Sequence, residues 1–311
     1  MSAELAIHVA HLSKHFKGQR AVDDVSFDVK QGEVFGLLGP NGAGKTTILR
    51  MLTTLLTPTA GEVLIFGHDL KREGRLARSM FGVTGQNASL DEDLSAHENL
   101  MIFARLNGLT RAQARQRTQE LLTEFSLEHS ADKALATFSG GMRRRVDLAI
   151  SLITRPALIF LDEPTTGLDP QTRAEMWTTI RRLVQQGSTV FLTTQYLEEA
   201  DQLADRVAVI DHGKLIQVGT PAALKRATGE STMTVKINQQ SQVPLAVRIL
   251  TAELATTPHV TGQQLVAKFK HTSQITSGLT RLRDAHIDIS QLTVREPTLD
   301  DVFMALTVGQ N

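Results

Sequence analysis

The sequence predicts an α/β fold in two parts: a large mixed-sheet domain organised around a phosphate-binding loop, then a small α+β domain. Three observations predict it. First, the apolar run Val34 to Leu38 leads into Gly39-Pro40-Asn41-Gly42-Ala43-Gly44-Lys45-Thr46-Thr47, which leads into the helically spaced Ile48 to Leu52. Strand, glycine-rich turn and helix is the setting a phosphate loop needs. Second, the apolar run Ala157 to Leu161 ends in Asp162-Glu163-Pro164. That puts two carboxylates at the carboxyl edge of a buried strand, where α/β sheets bind ligands. Third, the pattern restarts near Ser231 as β-α-β-α-β-α over about eighty residues, a size floor for a separate core. The expected boundaries are 1–225 and 226–311, with a helical insert at about 95–155.

Composition narrows the function classes. Lys+Arg and Asp+Glu are 33 each, so the formal net charge is zero. A nucleic-acid binder working through a basic field is disfavoured. With no cysteine there is no disulfide framework, thiolate metal site or cysteine nucleophile. Met1 to Val9 carries Glu4 and His8 and lacks a basic n-region, so it is not expected to be a signal peptide. No apolar run approaches the ~20 residues that cross a bilayer. If the protein works at a membrane, another polypeptide is expected to span it.

In chain order, Ile7 to Phe16 and Ala21 to Val29 partly alternate and predict antiparallel strands before the loop. Phe16 offers either a flat surface for a purine or a core side chain. His8, His11 and His15 are not expected to bind metal, because strand alternation sends His8 and His11 to opposite faces. In the phosphate loop the glycines let successive N–H groups point at one anion. The helix starting at Lys45 adds its positive end. Lys45 is expected to reach the β- and γ-phosphates of a nucleoside triphosphate and Thr46 to ligate Mg²⁺.

Glu62 to Phe66 reads as a strand, Lys71 to Arg78 as a basic helical piece, and Phe81 to Gln86 as a strand delivering Gln86. Leu94 to Leu106 predicts a helix with a Ser95/Glu98 capping box. Thr110 to Phe125 predicts a second helix, with Ala114, Leu121, Leu122 and Phe125 on its apolar side. In Phe138-Ser139-Gly140-Gly141-Met142-Arg143-Arg144-Arg145, Ser139 caps the next helix, and Gly140 and Gly141 expose its first N–H groups as a second anion-binding start. The arginine run reads equally well as a solvated face. A turn at Thr165 to Pro170, a helix around Met176 to Leu183 and a strand at Thr189 to Thr193 follow. Glu198, Glu199 and Asp201 fall in the first turns of a helix, where the dipole favours acids. Strands Arg206 to Ile210 and Lys214 to Val218 flank a tight turn at His212-Gly213, and Thr220-Pro221 opens a short helix. The last segment adds strands at Met233 to Ile237, Leu265 to Phe269 and Ile287 to Val294, and helices at Leu245 to Leu254, Ile275 to Leu282 and Thr298 to Leu306.

Together, over roughly residues 5 to 225, these motifs resemble the ATP-binding subunits of ABC transporters. The resemblance implies a P-loop NTPase fold of ABC type, with an antiparallel β subdomain and an inserted helical subdomain. It identifies Gly39 to Thr47 as the phosphate loop, Gln86 as the Q-loop glutamine and Phe138 to Met142 as the signature. Leu158 to Glu163 is the acidic strand, Gly167-Leu168-Asp169 the D-loop and Gln195 the switch position. Phe16 matches the aromatic that stacks on adenine. Two departures stand out. Phe138 and Met142 replace the ends of the usual LSGGQ, and Gln195 stands where histidine is usual. Glutamine can donate to a γ-phosphate but cannot take up a proton, which leaves Glu163 as the general base.

The family likeness implies ATP and Mg²⁺ as ligands. Lys45, Thr46 and Asp162 of one subunit hold them, and Gln86 links the metal to the membrane-subunit contact. Ser139 and Gly141 of a second copy in a head-to-tail homodimer close over the γ-phosphate, and Gly140 and Asp169 belong to the nucleotide-binding set. It also implies a separately encoded integral-membrane permease subunit, and residence at the cytoplasmic face of the membrane. Phe138 to Arg145, Thr193 to Asp201 and Glu296 to Phe303 are similar to the daunorubicin/doxorubicin resistance subgroup, so export of hydrophobic compounds is expected. A soluble ABC ATPase acting on ribosomes or DNA, and an importer ATPase, are the alternatives. The 226–311 segment has no glycine loop, acid pair or histidine cluster and reads as a regulatory or docking module.

Overall fold

The structure is a computed structural model of the chain, describing residues 4–84, 90–228, 231–295, 298–299 and 301–302. It divides into two compact units, Met1–Pro221 and Ala222–Asn311.

The first unit opens with β1 (Leu5–Phe16), β2 (Gln19–Lys30) and β3 (Val34–Leu38), then α1 (Lys45–Leu52), β4 (Ala60–Ile65), β5 (His68–Asp69), α2 (Gly74–Arg78) and β6 (Phe81–Thr84). Helices α3 (Ala96–Leu106), α4 (Arg111–Glu124) and α5 (Gly140–Ser151) follow, then β7 (Leu158–Asp162), α6 (Pro170–Gln185), β8 (Thr189–Thr194) and α7 (Leu197–Leu203). The hairpin β9 (Arg206–Asp211) and β10 (Lys214–Gly219) leads to α8 (Pro221–Thr228). A four-stranded antiparallel sheet, ordered β2-β1-β4-β5, stands beside a six-stranded sheet, ordered β10-β9-β3-β8-β7-β6. The latter is parallel except at β10.

The central sheet is buried on both faces, so its strands read as unbroken apolar runs. One face packs Ile159, Leu161, Val190 and Leu192 against α3 to α6. The other packs Phe35, Leu37, Phe160 and Phe191 against α1 and the antiparallel sheet. Phe35, Phe191 and Phe160 lie directly opposite one another on β3, β8 and β7. Their ring centroids are 5.8 and 5.6 Å apart, and Phe27 from β2 stacks on Phe35 at 5.3 Å. This locked register aligns the strand ends: Leu38 pairs with Thr194, and Thr193 with Asp162.

Local signals act as their chemistry dictates. Ser95 and Glu98 form a reciprocal capping box, and Thr110 and Gln113 form another. In β1 a bulge between Val9 and Leu12 gives His11 a φ of 52°, so simple alternation fails there. His8 and His11 each pair with their own cross-strand acid, Asp28 at 2.6 Å and Asp24 at 2.7 Å.

In the second unit, β11 (Ser231–Ile237), α9 (Val243–Leu254), β12 (His259–Thr261), β13 (Gln264–Phe269), α10 (Thr272–Asp284) and β14 (Ile289–Arg295) form one antiparallel sheet, ordered β12-β13-β11-β14. Met233, Val235, Leu265 and Phe269 pack with Leu250 and Leu282 of the two helices. The short strand β12 was not expected; a three-residue strand with all side chains exposed has no apolar alternation to betray it. Most of the helix expected at Thr298 to Leu306 lies outside the described residues.

Candidate nucleotide site

Three neighbouring strands end at one place. The phosphate loop follows β3, the acids Asp162 and Glu163 end β7, and Gln195 follows β8. An open cleft of about 850 Å³ there is lined by Phe16, Asn41, Gly42, Gly44, Lys45, Thr46, Thr47, Glu163, Thr166, Gln195 and the His212-Gly213 turn, with Gln19 to Ala21 at the side.

The loop is shaped to leave donors free. Gly44, at the N-cap of α1, has φ 104°, and no side chain caps the helix, so its first N–H groups remain available. A Cβ on Gly44 would lie 2.7 Å from the Ala21 carbonyl, so only glycine fits. The Gly213 N–H donates to the Ala43 carbonyl at 3.0 Å, and the Asp23 N–H donates to the Gly213 carbonyl at 2.8 Å. The β9–β10 hairpin thus braces the loop from behind.

Lys45 is 5% exposed, and its Nζ donates to the Gly39 and Pro40 carbonyls at 2.8 and 3.0 Å. Glu163 Oε1 lies 3.5 Å from the same ammonium. Burial holds the Lys45 pKa below the usual lysine range, opposed by the charges of Glu163 and Asp162. A desolvated ammonium among carbonyls and carboxylates gains when an anion arrives.

Asp162 is 5% exposed; its Oδ1 accepts from the Thr193 hydroxyl at 2.6 Å and lies 3.4 Å from the Thr46 hydroxyl. Two hard oxygen donors this close suit Mg²⁺. Glu163 has a left-handed backbone, φ 46°. It is fixed by its N–H donating to the Thr193 carbonyl at 3.1 Å and by the Thr166 hydroxyl donating to Oε2 at 3.1 Å. A non-glycine residue in that region persists only where its surroundings over-determine it.

The second helix start is elsewhere. Ser139, Gly140, Gly141 and Asp169 do not line the cleft. Ser139 caps α5 by accepting from the Met142 N–H at 3.2 Å. Gly141 is buried, and a Cβ there would meet the Thr172 methyl at 2.3 Å, so glycine permits the close approach of α5 and α6. Asp169 caps α6, accepting from the Thr172 hydroxyl at 2.6 Å and the Thr172 N–H at 3.0 Å, and these hydrogen bonds hold its pKa below the usual carboxylate range. Gln86 lies outside the described residues.

Sequence reasoning passed over Arg144. The arginine run is a solvated face only at Arg143. Arg143 pairs with Glu92 at 3.1 Å, and Arg145 reaches the Phe125 carbonyl. Arg144 donates to the carbonyls of Asp162 at 2.8 Å and Pro164 at 3.2 Å, while pairing with Asp147 at 3.0 Å. It ties α5 to the turn that carries the acids.

The family model described as ABC transporter matches residues 22–166. The chain is 46% identical to the daunorubicin/doxorubicin resistance ATP-binding protein DrrA of Streptomyces peucetius, over 97% of this chain and 92% of that protein. It belongs to the ATP-binding subunits of ABC transporters. As an ABC ATPase it binds ATP and hydrolyses it to power transport, and such subunits work with separate membrane components. It is also 39% identical to the Nod factor export ATP-binding protein I of Sinorhizobium fredii, over 98% of this chain and 87% of that one. The solved structure of cbiO1 from Clostridium perfringens, part of the ABC transporter complex cbiONQ, matches with a TM-score of 0.66 and 27% identity, covering 71% of this chain and 90% of that one. The ABC ATPase has no described helix long and apolar enough to cross a membrane.

Proposed function

We propose that this ABC ATPase drives export of drug-like hydrophobic compounds through a separate membrane-spanning subunit, hydrolysing ATP between two copies of itself arranged head to tail. One observation carries the reading. The cleft holds the phosphate loop, Glu163 and Gln195, while the capped start of α5 is not among its lining residues. A γ-phosphate needs a second wall, and a second copy's Ser139, Gly140 and Gly141 would supply it, with Asp169 beside them. The names of the relatives DrrA and the Nod factor exporter support the export direction. The working place is then the cytoplasmic face of the membrane.

The residues divide the work. The free N–H groups of α1 and the Lys45 ammonium bind the β- and γ-phosphates, and Phe16, 45% exposed, offers its ring to the adenine. Thr46 and Asp162 would hold Mg²⁺, which when bound offsets charge on the phosphate oxygens. Gln86 would join that metal to the membrane-subunit contact. Glu163 accepts the proton of the attacking water as the water oxygen bonds to the γ-phosphorus and the bond to the ADP oxygen breaks. Gln195 donates its amide N–H to the γ-phosphate and moves no proton. Closure by the second copy excludes water and orients these groups, so the rate gain comes from positioning and fixed charge.

The test is Glu163→Gln with ATP and Mg²⁺. Loss of a general base lowers hydrolysis by about 100-fold or more, and light scattering should find a stable ATP-bound dimer. A strictly monomeric variant that turns over like the parent overturns the reading. Recovery of a polytopic membrane protein with the tagged chain tests the export assignment.

A further inference from the structure

Glu199, in the first turn of α7, has no exposed surface and takes no part in the steps above. Its Oε1 accepts from the Thr165 hydroxyl at 2.8 Å and from the Trp177 indole N–H at 3.4 Å. Its Oε2 is buried with no hydrogen-bond partner. Burial pushes the Glu199 pKa up, against Thr194, Thr165, Trp177 and the charge of Arg173, which pull it down. The Thr194 hydroxyl, which accepts from the Tyr196 N–H at 2.9 Å and turns its proton to the Tyr196 carbonyl at 3.5 Å, acts on the carboxylate as a nearby dipole. A buried acid with one oxygen unpartnered is costly to keep. Its place in the first turn of α7 agrees with a dipole-favoured acid but does not by itself account for the burial.

The three groups around Glu199 belong to three different parts of the site. Thr165 sits in the turn after Glu163, where the Thr166 N–H donates to the Glu163 carbonyl at 3.3 Å and the Leu168 N–H to the Thr165 carbonyl at 3.2 Å. Thr194 ends β8 immediately before Gln195, and Trp177 lies on α6, the helix that Asp169 caps. We propose that Glu199 is a positioning residue for hydrolysis: its grip on Thr165, against Thr194 and Trp177, holds the Glu163 turn and the Gln195 strand end in one register. Glu199 touches no reacting atom. It acts through Thr165 on a left-handed Glu163 that needs outside support. The proposal rests on Glu163 and Gln195 having the roles given above.

Steady-state hydrolysis, affinity for a fluorescent ATP analogue and melting temperature, measured on the full chain, test it with Glu199→Gln, Thr165→Val and the two combined. Each single variant should lower kcat about tenfold while KM and nucleotide affinity stay within about twofold, and the pair should lose no more than the worse single, as for residues acting as one unit. A merely structural acid would lower stability and nucleotide affinity together with kcat, and that result overturns the proposal. So do folded variants with parental kcat, or losses that multiply. Should Glu199→Gln fail to fold, Thr165→Val, which keeps the shape of the turn, decides alone. An inactive Glu163→Gln beside a parental Glu199→Gln sinks only this inference; an active Glu163→Gln sinks the base assignment beneath it.

Discussion

Helices α1 and α5 both begin beside glycine and both present N–H groups at their starts, yet they differ in what surrounds those groups. Helix α1 begins at Gly44 with no side-chain cap, inside a cleft holding a buried lysine and the Glu163 carboxylate. Helix α5 begins at exposed Ser139, whose hydroxyl accepts one of the free N–H groups, and its Gly141 is taken up by packing against Thr172. The α1 start is thus flanked by charged side chains of its own chain. At the α5 start Ser139 and Gly140 are exposed, while Gly141 is packed against α6. That asymmetry is what a site shared between copies requires.

The largest break in the comparison comes from Lys45→Ala. A buried ammonium facing phosphate has no substitute among the neutral donors of the loop, so nucleotide affinity should fall more than about 100-fold, as loss of a charge-assisted contact in a desolvated site implies. Titration with a fluorescent ATP analogue checks this, and retained affinity would move the nucleotide elsewhere.

Next in size is Asp147→Asn, which probes the tie between the two helix starts. Asp147 holds Arg144, and Arg144 holds the carbonyls of Asp162 and Pro164. Burial pushes the Asp147 pKa from 3.8 up to about 6, against the pull of Arg144. The folded chain thus keeps this proton longer than the unfolded chain. Its contribution is fully present below about pH 4 and is lost as pH rises through about 6, a change on the order of 3 kcal/mol. Asparagine carries no such proton, so the variant should gain about that much stability over the parent between about pH 4 and pH 7. Denaturant titrations at both ends measure it, and a gap that does not change with pH would contradict the burial of this carboxyl.

Local chemistry was legible in the sequence, and long-range burial was not. The phosphate loop, the Ser95/Glu98 capping box and the His212-Gly213 turn each depend on residues within a few positions of one another, and each lies where its spacing says. The apolar runs at Val34 and Ala157 announced strands buried on both faces. Glu199 was read as a helix-dipole acid because its first turn says only that. Its burial is set by Thr165, Thr194 and Trp177, which the fold brings together from three elements. Arg144 was hidden for the same reason: nothing in a run of three arginines shows that the middle one reaches the carbonyls at the end of β7. The histidine alternation failed at a bulge that its sequence does not mark.

The smallest effect is the sharpest for the comparison. Ser139→Ala removes the α5 cap and should cost about 1 kcal/mol of stability, whereas Ser139→Gly should cost only a few tenths, because glycine is tolerated at an N-cap. Neither change touches the cleft of the same chain, so affinity of the isolated chain for nucleotide should hold within about twofold. Turnover is different. If the Ser139 hydroxyl closes over a phosphate bound to another copy, both variants should lose about tenfold in hydrolysis, a modest share of what one preorganised donor can supply. The two variants then separate capping from closure: stability returns in Ser139→Gly and turnover does not. Should turnover return along with stability, the hydroxyl is a helix cap only, and the second wall of the nucleotide site must be sought in the N–H groups of Gly140 and Gly141 or in another part of the chain.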